Sequence, residues 1–154
     1  MRLWRLTRAP FVALDGGGAL RHGGRYSPPG VPVVPLASEV GLAVLIALRY
    51  LPADRREWPG DHVLGWTEID AVPERLGDEA GDDTAVRAAV ARWLAEERFL
   101  LAAVSSRVLP EADVVLLNPR HPEAAHVAPL QVRPFDFAAC LHTPPMLASF
   151  RSAP

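Results

Sequence analysis

His22-Gly23-Gly24-Arg25-Tyr26-Ser27-Pro28-Pro29-Gly30 sets a guanidinium beside an aromatic ring, between glycines that let the backbone approach a ligand closely. Arginine can grip phosphate oxygens with two parallel N–H groups, and tyrosine offers a face for packing, so the pair suits an anionic ligand that carries a ring. A glycine-rich surface loop whose arginine pairs with a carboxylate is the competing reading. Two further sets of polar residues follow apolar runs: Ser105-Ser106 after Phe99–Val104, and Asn118-Pro119-Arg120-His121-Pro122 after Val114–Leu117. Polar side chains at strand ends are common places for a site, although serine and asparagine also end strands for local reasons, and His121 suits a turn or cap as well as catalysis. Several chemistries are excluded. No GxxxxGK[ST] loop is present, Gly16-Gly17-Gly18 lacks a strand-loop-helix context, and no GxSxG elbow surrounds either serine. The five histidines lack the i, i+4 spacing of a helical metal site, so no metal is expected.

The elements that must position these residues can be read in order. Leu3-Trp4-Arg5-Leu6 is expected to be a short strand, and Gly16–Gly30 a long loop without regular structure. Val31, Val33 and Val34 form a β-branched run that Pro32 and Pro35 should push to a sheet edge. Ser38 should cap a helix running through Leu42-Ala43-Val44-Leu45-Ile46, apolar nearly all round and therefore buried. His62–Ile69 reads as a strand and Asp78–Asp83 as an acidic loop. Thr84 should cap the next helix, whose apolar face is Val86, Ala89, Val90, Trp93 and Leu94. Phe99–Val104 and Val114–Leu117 have the length of buried strands. Val127–Phe137 reads as a last extended stretch, and 141–154 as a loose tail. The result is an α+β domain of short strands with two main helices.

Composition narrows the function classes. With 154 residues the chain has room for one core, and a net charge of -2 supplies no general basic face for nucleic acid. All sixteen cations are arginine, which excludes lysine chemistry and makes every positive charge planar and permanent. One cysteine, Cys140, allows no internal disulfide, and the longest apolar stretch, 41–48, is far shorter than the roughly 20 residues of a membrane span. No export signal is visible, and the cytoplasm is the expected compartment.

Leu3-Trp4-Arg5-Leu6, Gly23-Gly24-Arg25-Tyr26 with Pro29-Gly30, Leu42-Ala43-Val44-Leu45, Trp93-Leu94, Ser106, Leu117-Asn118-Pro119-x-His121-Pro122 and Phe135-Asp136-Phe137, taken in this order, resemble the RES domain family over nearly the whole chain. The resemblance implies a single domain over 1–140 with an ADP-ribosyltransferase-like split β-sheet and flanking helices. It implies a toxin of a bacterial toxin-antitoxin pair that acts on NAD+, by phosphorolysis, hydrolysis or ADP-ribosyl transfer to a protein. Its partner would be an Xre-like helix-turn-helix antitoxin, through which any nucleic-acid contact would pass. Carried over by position, Arg25 would hold the NAD pyrophosphate, Tyr26 would pack on the ligand, and Ser106 matches the family serine. Ser27 and Asn118 would complete the binding residues.

Three positions depart from the pattern. Ile46 stands where the family has its glutamate, Ser27 where asparagine is usual, and Pro35 where a tyrosine is usual. Cleaving the nicotinamide-ribose bond develops positive charge that a carboxylate would stabilise, so a non-catalytic NAD- or partner-binding module is the alternative. Glu39, seven residues before Ile46, together with Glu68, Arg49 and Tyr50, are further candidates for the cleft.

Overall fold

A computed structural model describes residues 1–77 and 82–141. The elements run β1 (Arg2–Arg8), α1 (Gly17–His22), β2 (Val34–Ala37), α2 (Val40–Leu48), β3 (His62–Glu68), β4 (Glu74–Arg75), α3 (Asp83–Glu96), β5 (Leu101–Ser105), β6 (Asp113–Leu117) and β7 (Gln131–Pro134). The strands form one mixed sheet in the order β4-β5-β6-β2-β1-β3-β7. Only β4 and β5 pair in parallel.

β6 explains why the middle of the sheet reads as a continuous apolar run. Val114 and Leu116 enter the core on one face, while Val115 and Leu117 enter the core on the other. α3 packs on the first face through Val86, Val90 and Trp93, as its i, i+4, i+7 spacing requires. The sheet divides at its centre. β1 and β2 are joined by the single pair Trp4↔Ala37, whereas β1 matches β3 over seven residues and β2 matches β6 over four. Pro35, two residues from that junction, has no N–H with which to extend the ladder. The halves β4-β5-β6-β2 and β1-β3-β7 therefore part beside Pro35, and α2 lies against both β1 and β2. This is the expected α+β split sheet.

Several local expectations are corrected. β2 is central, not an edge strand, because the missing N–H of Pro35 falls where the sheet already parts. The glycine segment contains a helix, α1. Asp15 accepts the Gly17 N–H at 2.8 Å, and Gly16 and Gly23 bound the helix with φ of 69° and 67°. A Cβ at Gly16 would lie 2.8 Å from Pro32 Cβ, and one at Gly23 2.7 Å from Pro29 Cδ, so both turns require glycine. Ser38 does not cap α2: its hydroxyl accepts the Asp113 N–H at 3.0 Å and ties the helix entry to β6. α2 is buried only at Leu42 and Ala43, and Val40 and Leu45 stay exposed. Asp82, not Thr84, caps α3, accepting the Thr84 N–H at 2.8 Å. The extended C-terminal stretch contracts to β7 between short 3-10 turns at Pro122–His126 and Phe137–Cys140. Of the acidic loop, 78–81 lie outside the described residues, as does the expected tail beyond Leu141. No described helix is long and apolar enough to cross a membrane.

Candidate functional site

The parting of the sheet opens a cleft in two halves. One, of about 310 Å³, is lined by Arg25, Tyr26, Ser27 and Ser106, with Arg49 also on its wall. The other, of about 360 Å³, runs along Trp4–Arg8, Ala43 and Ala47 to His62. Arg5, Pro35, Ile46, Tyr50 and Val114 border both. Four of the five expected binding residues thus converge from two segments far apart in the chain.

Each is held by local chemistry. Arg25 follows the positive-φ turn at Gly23, and its guanidinium sits 5.4 Å from the centre of the Tyr26 ring. It donates from Nε to Asp83 Oδ1 at 3.1 Å and from Nη1 to the Tyr26 hydroxyl at 3.5 Å. Burial raises the Tyr26 pKa above its ordinary value, opposed in part by the Arg25 charge, so the phenol stays neutral at pH 7. Ser27 is buried and spends its hydroxyl proton on the Val31 carbonyl at 3.1 Å, which closes the loop and leaves only the oxygen's lone pairs for a ligand. Ser106 is also buried. Its oxygen accepts the N–H groups of Val108 and Leu109 at 3.2 and 3.4 Å, so its own proton is the part left to donate.

Asn118 does not line the cleft, which corrects its expected role. β5 and β6 are antiparallel, Leu101 facing Leu117 and Ser105 facing Asp113, so the C-terminal ends of the two strands lie at opposite edges of the sheet. Ser106 and Asn118 each follow one of those ends. Asn118 is fully buried, accepts the Arg120 N–H at 3.0 Å and forms a turn with His121. His121 caps the following 3-10 turn by accepting the Glu123 N–H at 3.1 Å.

Arg5 was not singled out by the sequence because it lies in an ordinary-looking strand. It borders both halves of the cleft and donates to the Ala13 carbonyl at 3.2 Å. Burial lowers its pKa and the Asp15 charge opposes this, yet a guanidinium remains charged at neutral pH. Tyr50 and Arg49 do reach the cleft. Glu39 and Glu68 do not: Glu39 is exposed where α2 begins, and Glu68 pairs with Arg2 at 2.6 Å. Among the described residues, no aspartate or glutamate lines either half of the cleft. The arrangement is a crevice that brings two arginines, an aromatic ring and a hydroxyl donor together, with an aliphatic side chain, Ile46, at its waist.

The chain is 33% identical over 141 residues to Toxin Res of Pseudomonas putida, covering 88% of this chain and 95% of that protein. It is 33% identical over 132 residues to the Prs ADP-ribosylating toxin of Sphingobium sp., covering 78% and 81%. A chain of the crystal structure of the M. tuberculosis MbcT–MbcA toxin-antitoxin complex shares the fold, with a TM-score of 0.69 at 18% identity over 90% of this chain and 85% of that one. A family model described as the RES domain matches residues 2–138, a span that includes both halves of the cleft, and the chain belongs to the RES domain family.

Proposed function

We propose that this protein is the toxin of a toxin-antitoxin pair and that its cleft takes NAD+, breaking the bond between nicotinamide and ribose. The electron pair of that bond leaves with nicotinamide, and the oxygen of phosphate, water or a protein side chain bonds the ribose carbon and loses its proton. The observation that carries this reading is the convergence of Arg25, Tyr26 and Ser106 on one cavity with Arg5 beside them. Arg5 and Arg25 would hold the diphosphate, Tyr26 would pack on a ring, and Ser106 would donate its proton to a ligand oxygen. Each half of the cleft is within the roughly 300–1,000 Å³ range of small-molecule sites, and the shared waist suits a ligand of two linked halves. The names of the relatives Toxin Res and Prs ADP-ribosylating toxin support the toxin reading, and the second supports ADP-ribosyl chemistry. The proposed partner is an Xre-like helix-turn-helix antitoxin, and the proposed compartment is the cytoplasm.

A second reading is favoured by one observation: among the described residues, no carboxylate lines the cleft. A site without it binds the dinucleotide but stabilises the developing ribosyl cation poorly, at a cost of about 10²- to 10³-fold in rate. Purified protein incubated with NAD+, with and without phosphate, should release nicotinamide. Calorimetric binding without release would favour the binding module. Neither binding nor release would overturn both readings.

A further inference from the structure

We propose that Asp83 is a positioning residue that aims the Arg25 guanidinium and ties together the two loops framing the cleft. The proposal rests on reading that cleft as a dinucleotide site. Asp83 is the first residue of α3, and a single oxygen, Oδ1, accepts from Arg25 Nε at 3.1 Å and from Arg107 Nη2 at 3.0 Å. Arg25 belongs to the glycine-bounded loop, and Arg107 adjoins Ser106. One carboxylate therefore fixes the loop that carries the guanidinium relative to the loop that carries the hydroxyl.

One turn along α3, Arg87 holds the backbone of the same loop. It donates from Nε to the Arg25 carbonyl and from Nη2 to the Gly24 carbonyl, each at 3.1 Å. Residues four apart share one face of a helix, so a single turn grips both the side chain and the main chain of Arg25. α3 is in turn anchored in the core by Val86, Val90 and Trp93. The loop is thereby referred to a rigid element.

The corner of the guanidinium that Asp83 occupies matters. Arginine presents five coplanar N–H donors, and a carboxylate on Nε leaves the outer edge, Nη1 and Nη2, for bidentate recognition of a phosphate. Among the described residues, that edge meets the Tyr26 hydroxyl, at the long distance of 3.5 Å. The Arg25 side chain is 19% exposed, so its ion pair with Asp83 is partly shielded from water, and the residue lines the cavity.

The proposal makes a prediction of sign. If Asp83 acted only as a nearby negative charge, its removal would relieve repulsion and tighten an anionic ligand by a few-fold. If it positions Arg25, its removal weakens the ligand. Asp83→Asn keeps the shape and, because Asp82 is the cap of α3, leaves the helix start intact. Calorimetry with NAD+ and with inorganic pyrophosphate should show this variant binding both about 10-fold more weakly than wild type, with Asp83→Glu recovering much of the loss. Amide exchange in the ligand-free protein should speed up at residues 24–27 in Asp83→Asn. Equal or tighter binding by Asp83→Asn would overturn the proposal. If wild type binds pyrophosphate but not NAD+, the dinucleotide reading falls and the pyrophosphate affinities decide the role of Asp83. If wild type binds neither, exchange decides it, and unchanged exchange at residues 24–27 overturns it.

Discussion

Arg5 and Ile46 border both halves of the cleft, so a half-buried guanidinium and an aliphatic side chain share its waist where a dinucleotide would cross from one half to the other. Ile46→Glu places an acid beside a permanent cation, which favours its ionised form. Nicotinamide release should rise by about 10²-fold or more over wild type. An unchanged rate would mean that the charge on the reacting ribose is balanced elsewhere.

Arg25→Ala should weaken NAD+ by about 10-fold or more in calorimetry. Arg25→Lys should not restore it, because an ammonium cannot span the Asp83 oxygen and two phosphate oxygens in one plane. Full recovery by lysine would reduce the role of Arg25 to charge alone.

Ser106→Ala removes the acceptor of two N–H groups at a buried position. We expect a loss of about 1–3 kcal/mol in stability, read from denaturant unfolding, in addition to weaker ligand binding. A variant as stable as wild type would indicate that Val108 and Leu109 find other acceptors.

Gly23→Ala forces a side chain into the left-handed region and against Pro29. A destabilisation of at least about 1–3 kcal/mol should follow, with loss of binding at the adjoining Arg25. Gly24→Ala meets no atom within 4 Å and should be far milder, which makes the pair a control for glycine removal as such.

The Tyr26 pKa is raised in the folded state, while in the unfolded chain the phenol ionises near 10. The stability that the neutral phenol contributes is therefore complete below about pH 10 and is lost as pH climbs through the folded value. Thermal unfolding above pH 10 should show this decline in wild type, and Tyr26→Phe should show less of it. The exposed pairs Arg2–Glu68 and Arg8–Asp61 act at the other end of the scale. Each holds its carboxyl below the usual range, so their small contribution is lost as pH falls through that lowered value.

Much of the site was legible in the residue types. Arg25-Tyr26 between glycines marked a loop that lines the cleft, its arginine resting on the Asp83 carboxylate as the competing reading expected, and the spacing of Val86, Val90 and Trp93 fixed which face of α3 is buried, because a helix repeats every 3.6 residues whatever surrounds it. The misplacement of β2 came from a rule about proline in strands that holds only where both neighbours must be paired. Here the sheet divides at that residue.

By itself, the order of residues determined the main apolar strands, the buried face of α3 and the identity of the cation, since these depend on local periodicity and side-chain chemistry. Only the tertiary structure decided which strand ends share a cleft. Antiparallel pairing of β5 and β6 sent Asn118 to the far edge while Ser106 stayed, and the split beside Pro35 brought Arg5 to a guanidinium twenty positions along the chain. No local window of sequence contains those distances, because they are set by long-range strand pairing. The same holds for Asp83, whose contact with Arg25 spans 58 residues.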